Sequence, residues 1–197
     1  MTHTTTIDKS ASTDKHLLPS ITNRWSPRSF SDKPVSEETL QTLFEAARWA
    51  ASSMNEQPWR FVYAHKGESE YEAIAKALYD GNKWAEQAPV LIIAAAKQTF
   101  SRNGKTNGSA LYDLGLAVGN LSIQATEEGL SLHQMGGFDK DIVAENFHME
   151  ADIQPAVIIA LGYAGTPDQL PEPLYSREVS ERNRKPLSDI SFHGSLN

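Results

Sequence analysis

The stretch from Ser109 to Glu128, SALYDLGLAVGNLSIQATEE, limits more than any other what this chain can become. Leu111, Tyr112, Leu114, Leu116, Val118, Leu121 and Ile123 leave little of a helical circumference polar, and Gly129 stands where a left-handed residue ends a helix. A helix apolar nearly all round belongs in a protein's centre or in an interface. Gly115, Ala117 and Gly119 would let another backbone approach closely. In a chain of 197 residues this makes a dimer seam a candidate.

The remaining elements follow from shorter signals. Ser36 is placed as an N-cap, with Glu37 and Glu38 in the first turn, where carboxylates favour the positive end of the helix dipole. Leu40, Leu43, Phe44, Ala47 and Ala51 recur at helical spacing, so the helix is expected to run to about Ala51. RFVYAH (60–65) reads as a strand, YEAIAKAL (71–78) as a helix, and VLIIAAA (90–96) as a strand buried on both faces. Asp139 should cap a short helix through Phe147, and PAVIIALGYA (155–164) forms a last strand. Residues 1–15 are Thr/Ser-rich and too polar to offset the entropy of ordering, so a disordered head is expected. Residues 16–165 then make one domain. Beyond it, 166–197 holds the prolines and charges of an extended arm, which a partner subunit would explain economically.

Composition excludes several classes. No window reaches the eighteen apolar residues of a membrane span, and the first fifteen residues lack the apolar core of a signal peptide, so a soluble cytoplasmic protein is expected. With no cysteine, thiolate metal sites and cysteine nucleophiles are excluded. The six histidines are scattered without ligand spacing, so no metal site is expected. A net charge of −7 leaves no broad basic face for nucleic acid. There is no P-loop, no GxGxxG after a strand and no GxSxG elbow.

Against that acidic background stand two positive islands. RWSPRSF (24–30) fixes Arg24 and Arg28 around Trp25 and Ser26, while REVSERNRK (177–185) sets Arg177, Arg182, Arg184 and Lys185 against Glu178 and Glu181. Each arginine alone could pair with a surface glutamate. Together they suggest one small polyanion, which a planar, permanently charged guanidinium can meet bidentately. SSMNEQPW (52–59) adds the polar groups of Ser52, Ser53, Asn55 and Gln57, and MGG (135–137) offers bare backbone N–H groups. Such groups suit a flat heterocycle with donors and acceptors on its rim. Flavin mononucleotide (FMN) combines that ring with a dianionic phosphate.

In RWSPRSF, AARWAASSMNEQPWRFV (46–62), NKWAEQAPVLIIAA (82–95), DLGLAVGNLSIQATEEGL (113–130), HQMGGFD (133–139) and RNRKPL (182–187), taken in this order, the sequence resembles the FMN-dependent nitroreductase family. The resemblance implies an α+β fold, with a mostly antiparallel central sheet flanked by helices. It also implies an intertwined homodimer with FMN at the interface. Arg24, Arg182 and Arg184 match the family's phosphate-binding cations, with Ser26 in the same loop. Trp25, where the family often has histidine, would contribute mainly backbone. Arg28 matches a basic residue beside the flavin pyrimidine, where a fixed cation stabilises the charge that reduction places there. Ser52, Ser53, Asn55 and Gln57 match a loop that reaches the partner chain's cofactor, and Asn82 a pyrimidine contact. Gln134, Met135, Gly136 and Gly137 match the loop beside flavin N5, although part of the family carries glutamate in place of Gly136. The implied activity is ping-pong transfer from NAD(P)H to a nitroaromatic, a quinone or a similar electrophile. No side chain is assigned a strictly catalytic role, since the cofactor carries the chemistry. A flavin-binding protein without turnover, or a relative acting as dehydrogenase or dehalogenase, is the alternative. The short stretch between Gly81 and the 90–96 strand mildly favours a simple reductase over a dehalogenase with an inserted lid.

Overall fold

The computed structural model describes residues 7–196. Strands β1 (Trp59–His65), β2 (Val90–Lys97), β3 (Ser131–Met135) and β4 (Ile153–Gly162) form one sheet in the order β1-β2-β4-β3, with every pairing antiparallel. The helices are α1 (Pro19–Asn23), α2 (Glu37–Arg48), α3 (Ser69–Ala77), α4 (Ala110–Glu127), α5 (Lys140–Asn146) and α6 (Leu174–Val179). The α+β architecture expected from the sequence is therefore the one observed.

The unbroken apolar run of β2 has a direct cause. Side chains alternate across a strand, so Val90, Ile92, Ala94 and Ala96 face a core built with Leu40 and Leu43 of α2 and Leu114, Ala117 and Leu121 of α4. Leu91 and Ile93 face a second core with Tyr71 and Ile74 of α3 and Val143 of α5. Both faces of the sheet are covered, and each fully buried Leu or Ile contributes about 1.5–3 kcal/mol. Pro155 sits beside a register shift between Ala94 and Ala95, a place where a strand tolerates a residue without an N–H.

The expected caps are present. The Ser36 hydroxyl accepts the Thr39 N–H at 3.1 Å, and the Asp139 carboxylate accepts those of Asp141 and Ile142 at 3.0 Å each. Gly129 closes α4 with φ +71°. Element ends differ by one to three residues: α2 stops at Arg48 rather than near Ala51, α3 covers 69–77, and the last strand covers 153–162. Not expected from the sequence were α1, α6, β3 and a 3-10 helical stretch at Asp80–Gln87.

At both ends the described residues contact the rest of the chain. Of the polar head, residues 1–6 lie outside the described residues, and Lys9 is buried. Ala11 N–H donates to the Thr22 carbonyl at 2.8 Å. The first part of the arm folds back on its own chain: Leu170 and Glu178 are buried, with α6 between Pro173 and Ser180. Hydrogen bonds hold the head, while the arm adds apolar burial at Leu170 and Leu174.

Candidate functional site

The loop after α1 and the segment after α6, about 150 residues apart in sequence, close on one cleft. Its walls are Lys9, Arg24, Trp25, Ser26, Arg28, Arg177, Ser180, Glu181, Arg182 and Arg184, around a space of about 190 Å³. Six cationic side chains thus meet one carboxylate, Glu181. Arg24, Arg182 and Arg184 also border a larger cleft of about 860 Å³ between the head and the arm, within the size range of ligand sites. Burial, then the charges of Arg182 and Arg184, pull the Arg24 guanidinium below its usual range. Arg182 is lowered likewise, by burial and then by Arg184. Partly buried guanidiniums held beside one another make a local positive potential that favours an anion.

One buried carboxylate shapes the loop. Glu178, 2% exposed, accepts the Arg28 N–H at 2.9 and 3.0 Å and the Ser29 N–H at 3.1 Å. Its Oε2 lies 3.9 Å from Arg28 Nη1. Arg28 is further fixed over the Trp84 ring, 5.9 Å from its centroid. Trp84 in turn packs at 4.6 Å on the ring of His133 in β3, whose Nδ1–H donates to the Pro27 carbonyl at 2.9 Å. Burial holds that imidazole below the ordinary 6.5, with Arg28 and Arg24 acting the same way and the Pro27 bond opposing.

The 80–87 segment extends the site. Asn82 Nδ2 donates to the Gly137 carbonyl at 2.9 Å, and the Tyr79 N–H donates to the same oxygen at 3.2 Å. A Cβ on Gly137 would stand 2.7 Å from Asn82 Nδ2, so a side chain there would push the Asn82 amide aside. A Cβ on Gly136, by contrast, would meet nothing within 4 Å. Gln134 is exposed, whereas the Met135 side chain lies in the core, so only its backbone faces outward.

The second polar loop lies elsewhere on the chain. Ser52 and Ser53 line a shallow cleft with Ser109, Tyr112, Asp113 and Leu116 of the α4 region, and this cleft shares no lining residue with the arginine cleft. Buried Asp113 accepts the Ser53 N–H at 3.0 Å, and the Ser52 hydroxyl accepts the Gln57 N–H at 3.0 Å. Met54, Asn55 and Gln57 all sit at φ 54–55°, a region L-residues rarely adopt. Asn55 and Gln57 are exposed. Beside this loop α4 presents Leu111, Tyr112 and Leu116 to the surface, 44%, 72% and 36% exposed, with Gly115 and Gly119 opening the same stripe.

Sequence reasoning missed Lys9, Trp84, His133, Glu178 and Asp113. Trp84, Asp113 and His133 stand in the stretches 82–95, 113–130 and 133–139 that carry the resemblance, whereas Lys9 and Glu178 are marked only by long-range partners.

With its sheet, its helices and this arginine cleft, the chain belongs to the nitroreductase family, whose family model matches residues 21–83 and 80–163. A solved FMN-containing oxidoreductase is 35% identical and superposes with a TM-score of 0.90 over 98% of both chains. A nitroreductase family protein from Clostridium difficile is 26% identical, with a TM-score of 0.69, covering 88% of this chain and 95% of its own. A Ralstonia nicotianae protein, provisionally named NADH dehydrogenase/NAD(P)H nitroreductase, is 30% identical over 68% of this chain and 78% of its own.

Proposed function

We propose that the protein is an FMN-dependent NAD(P)H oxidoreductase that reduces nitroaromatics, quinones or similar small electrophiles in a ping-pong two-electron cycle. The observation that carries this reading is the convergence of Arg24, Arg182 and Arg184 on a cleft lined by six cationic side chains and one carboxylate, in a chain of net charge −7. The donor set fits FMN. Arg24, Arg182 and Arg184 would hold the phosphate through charge-assisted hydrogen bonds. Arg28, Asn82 and the backbone at Gly137 would hold the ring. When bound, FMN supplies two-electron redox chemistry, taking electrons from NAD(P)H and passing them to an acceptor in separate half-reactions.

The chain's own contribution is position and electrostatics. Glu178 and Trp84 fix Arg28 before any ligand arrives, so its charge needs no reorganisation when negative charge develops nearby. The exposed apolar stripe on α4, next to the strained Ser52–Gln57 loop, supports a homodimer in which that loop serves the partner's cofactor. The arm from residue 166 onward would then extend over the second subunit, while its α6 portion anchors it at home.

The test is anaerobic titration of the purified protein, following flavin absorbance, first with NADH and NADPH and then with a panel of quinones and nitroaromatics. Bleaching by a nicotinamide and reoxidation by an acceptor are expected. Protein that binds no FMN would refute the reading, and bound flavin that stays oxidised would favour a binding protein without turnover. Arg184→Ala should weaken FMN retention, while Arg28→Ala should chiefly lower the flavin's reduction potential.

A further inference from the structure

The polar head brings a cation of its own to the arginine cleft. Lys9 is only 8% exposed, and its Nζ donates to the Ser180 carbonyl. It stands 5.4 Å from the Trp25 ring centroid and lines the cleft beside Arg24 and Arg182. No carboxylate among the described residues lies within ion-pair distance of it. The segment around it is stitched down from both sides: Arg182 Nη1 donates to the Lys9 carbonyl and, at 2.8 Å, to the Thr22 carbonyl.

An ammonium has three donors, and one carbonyl uses one of them. Burying such a group without a counter-ion is costly. Burial lowers the affinity of Lys9 for its proton, with Glu178 opposing and Arg182 reinforcing that effect. A simple staple between head and arm would need only a neutral donor. A positive charge placed next to two guanidiniums makes sense if an anion completes the set.

We propose that Lys9 is a phosphate ligand of the cofactor site, delivered by the head segment that Arg182 holds against the cleft. The proposal rests on the FMN reading above, and it assigns a binding role to a stretch whose sequence is mostly polar.

The test compares FMN with riboflavin, which has the same ring and ribityl chain but no phosphate. Each is titrated into cofactor-stripped protein and read by quenching of flavin fluorescence. In Lys9→Gln, whose amide can still donate toward Ser180, the preference for FMN over riboflavin should fall about tenfold to a hundredfold, the worth of one charge-assisted hydrogen bond. Lys9→Arg should keep most of that preference, and Lys9→Met, read alongside, should lose it as Lys9→Gln does. A staple alone would weaken both ligands equally. An unchanged FMN-to-riboflavin ratio in Lys9→Gln and Lys9→Met, whatever happens to the separate affinities, would therefore overturn the proposal. If the unsubstituted protein itself showed no preference for FMN, the phosphate site would fall, and this role for Lys9 with it.

Discussion

Replacing Glu178 tests whether one carboxylate organises the loop that carries Arg24 and Arg28. In Glu178→Ala, the Arg28 and Ser29 N–H groups lose their acceptor, and Ser29 is only 1% exposed. An orphaned buried donor costs about 1–3 kcal/mol, and bonds to a charged acceptor sit at the upper end. Two such donors give a loss of about 3–5 kcal/mol, a large part of the roughly 5–15 kcal/mol that holds a domain together. Glu178→Gln keeps one carbonyl oxygen in place and should cost about 1–2 kcal/mol. The assay is urea unfolding at one fixed protein concentration, because the stability of any self-associating form would depend on concentration. A loss below about 1 kcal/mol in Glu178→Ala would refute the claim that the loop hangs on this side chain. Glu178→Gln also removes the negative charge 3.9 Å from Arg28, so the bound flavin's midpoint potential should rise, opposite in sign to Arg28→Ala.

Three further outcomes can be checked directly. Gly137→Ala should displace Asn82, break its bond to the Gly137 carbonyl and cost about 1 kcal/mol in thermal unfolding, whereas Gly136→Ala, with open space around it, should be close to neutral. Asp113→Ala should free the Ser53 N–H and release the strained turn, seen as faster limited proteolysis within 52–57 while the rest of the chain resists. For His133, the folded imidazole binds its proton more weakly than the unfolded one, so the unfolded chain takes up more protons as pH falls below 6.5 and stability drops toward acid. Urea midpoints over about pH 5 to 8 should show that drop in the unsubstituted protein and a flatter profile in His133→Gln.

Much of this architecture can be read from local chemistry. The β2 run, the near-complete apolar girth of α4, the Ser36 and Asp139 caps and the Gly129 stop each depend on residues a few positions apart, so pattern suffices. The two arginine islands that meet at one cleft are also visible before any fold is known. What escapes is set by distance in the chain. SLHQM carries weak strand chemistry and becomes β3 only because β4 offers its edge. Glu178 sits in a charge-rich stretch that reads as solvated, yet it is buried because backbone donors from residues 28 and 29 converge on it. Met54 and Gln57 give no hint of left-handed backbone, which here depends on Asp113 in a helix about sixty residues away. Lys9 and the head are held by Arg182, a partner from the other end of the sequence.

Crowding six cations around a single cleft also has a consequence at the bench. Such a cluster will draw small oxyanions from solution, so inorganic phosphate or sulfate in a buffer should compete with the cofactor while calming the repulsion it leaves behind. Protein dialysed into a chloride buffer of low ionic strength would experience that repulsion over a long Debye length, tens of ångströms at about 0.01 M salt. The choice of counter-ion during purification would then decide both how yellow the sample is and how well its flavin-free fraction survives.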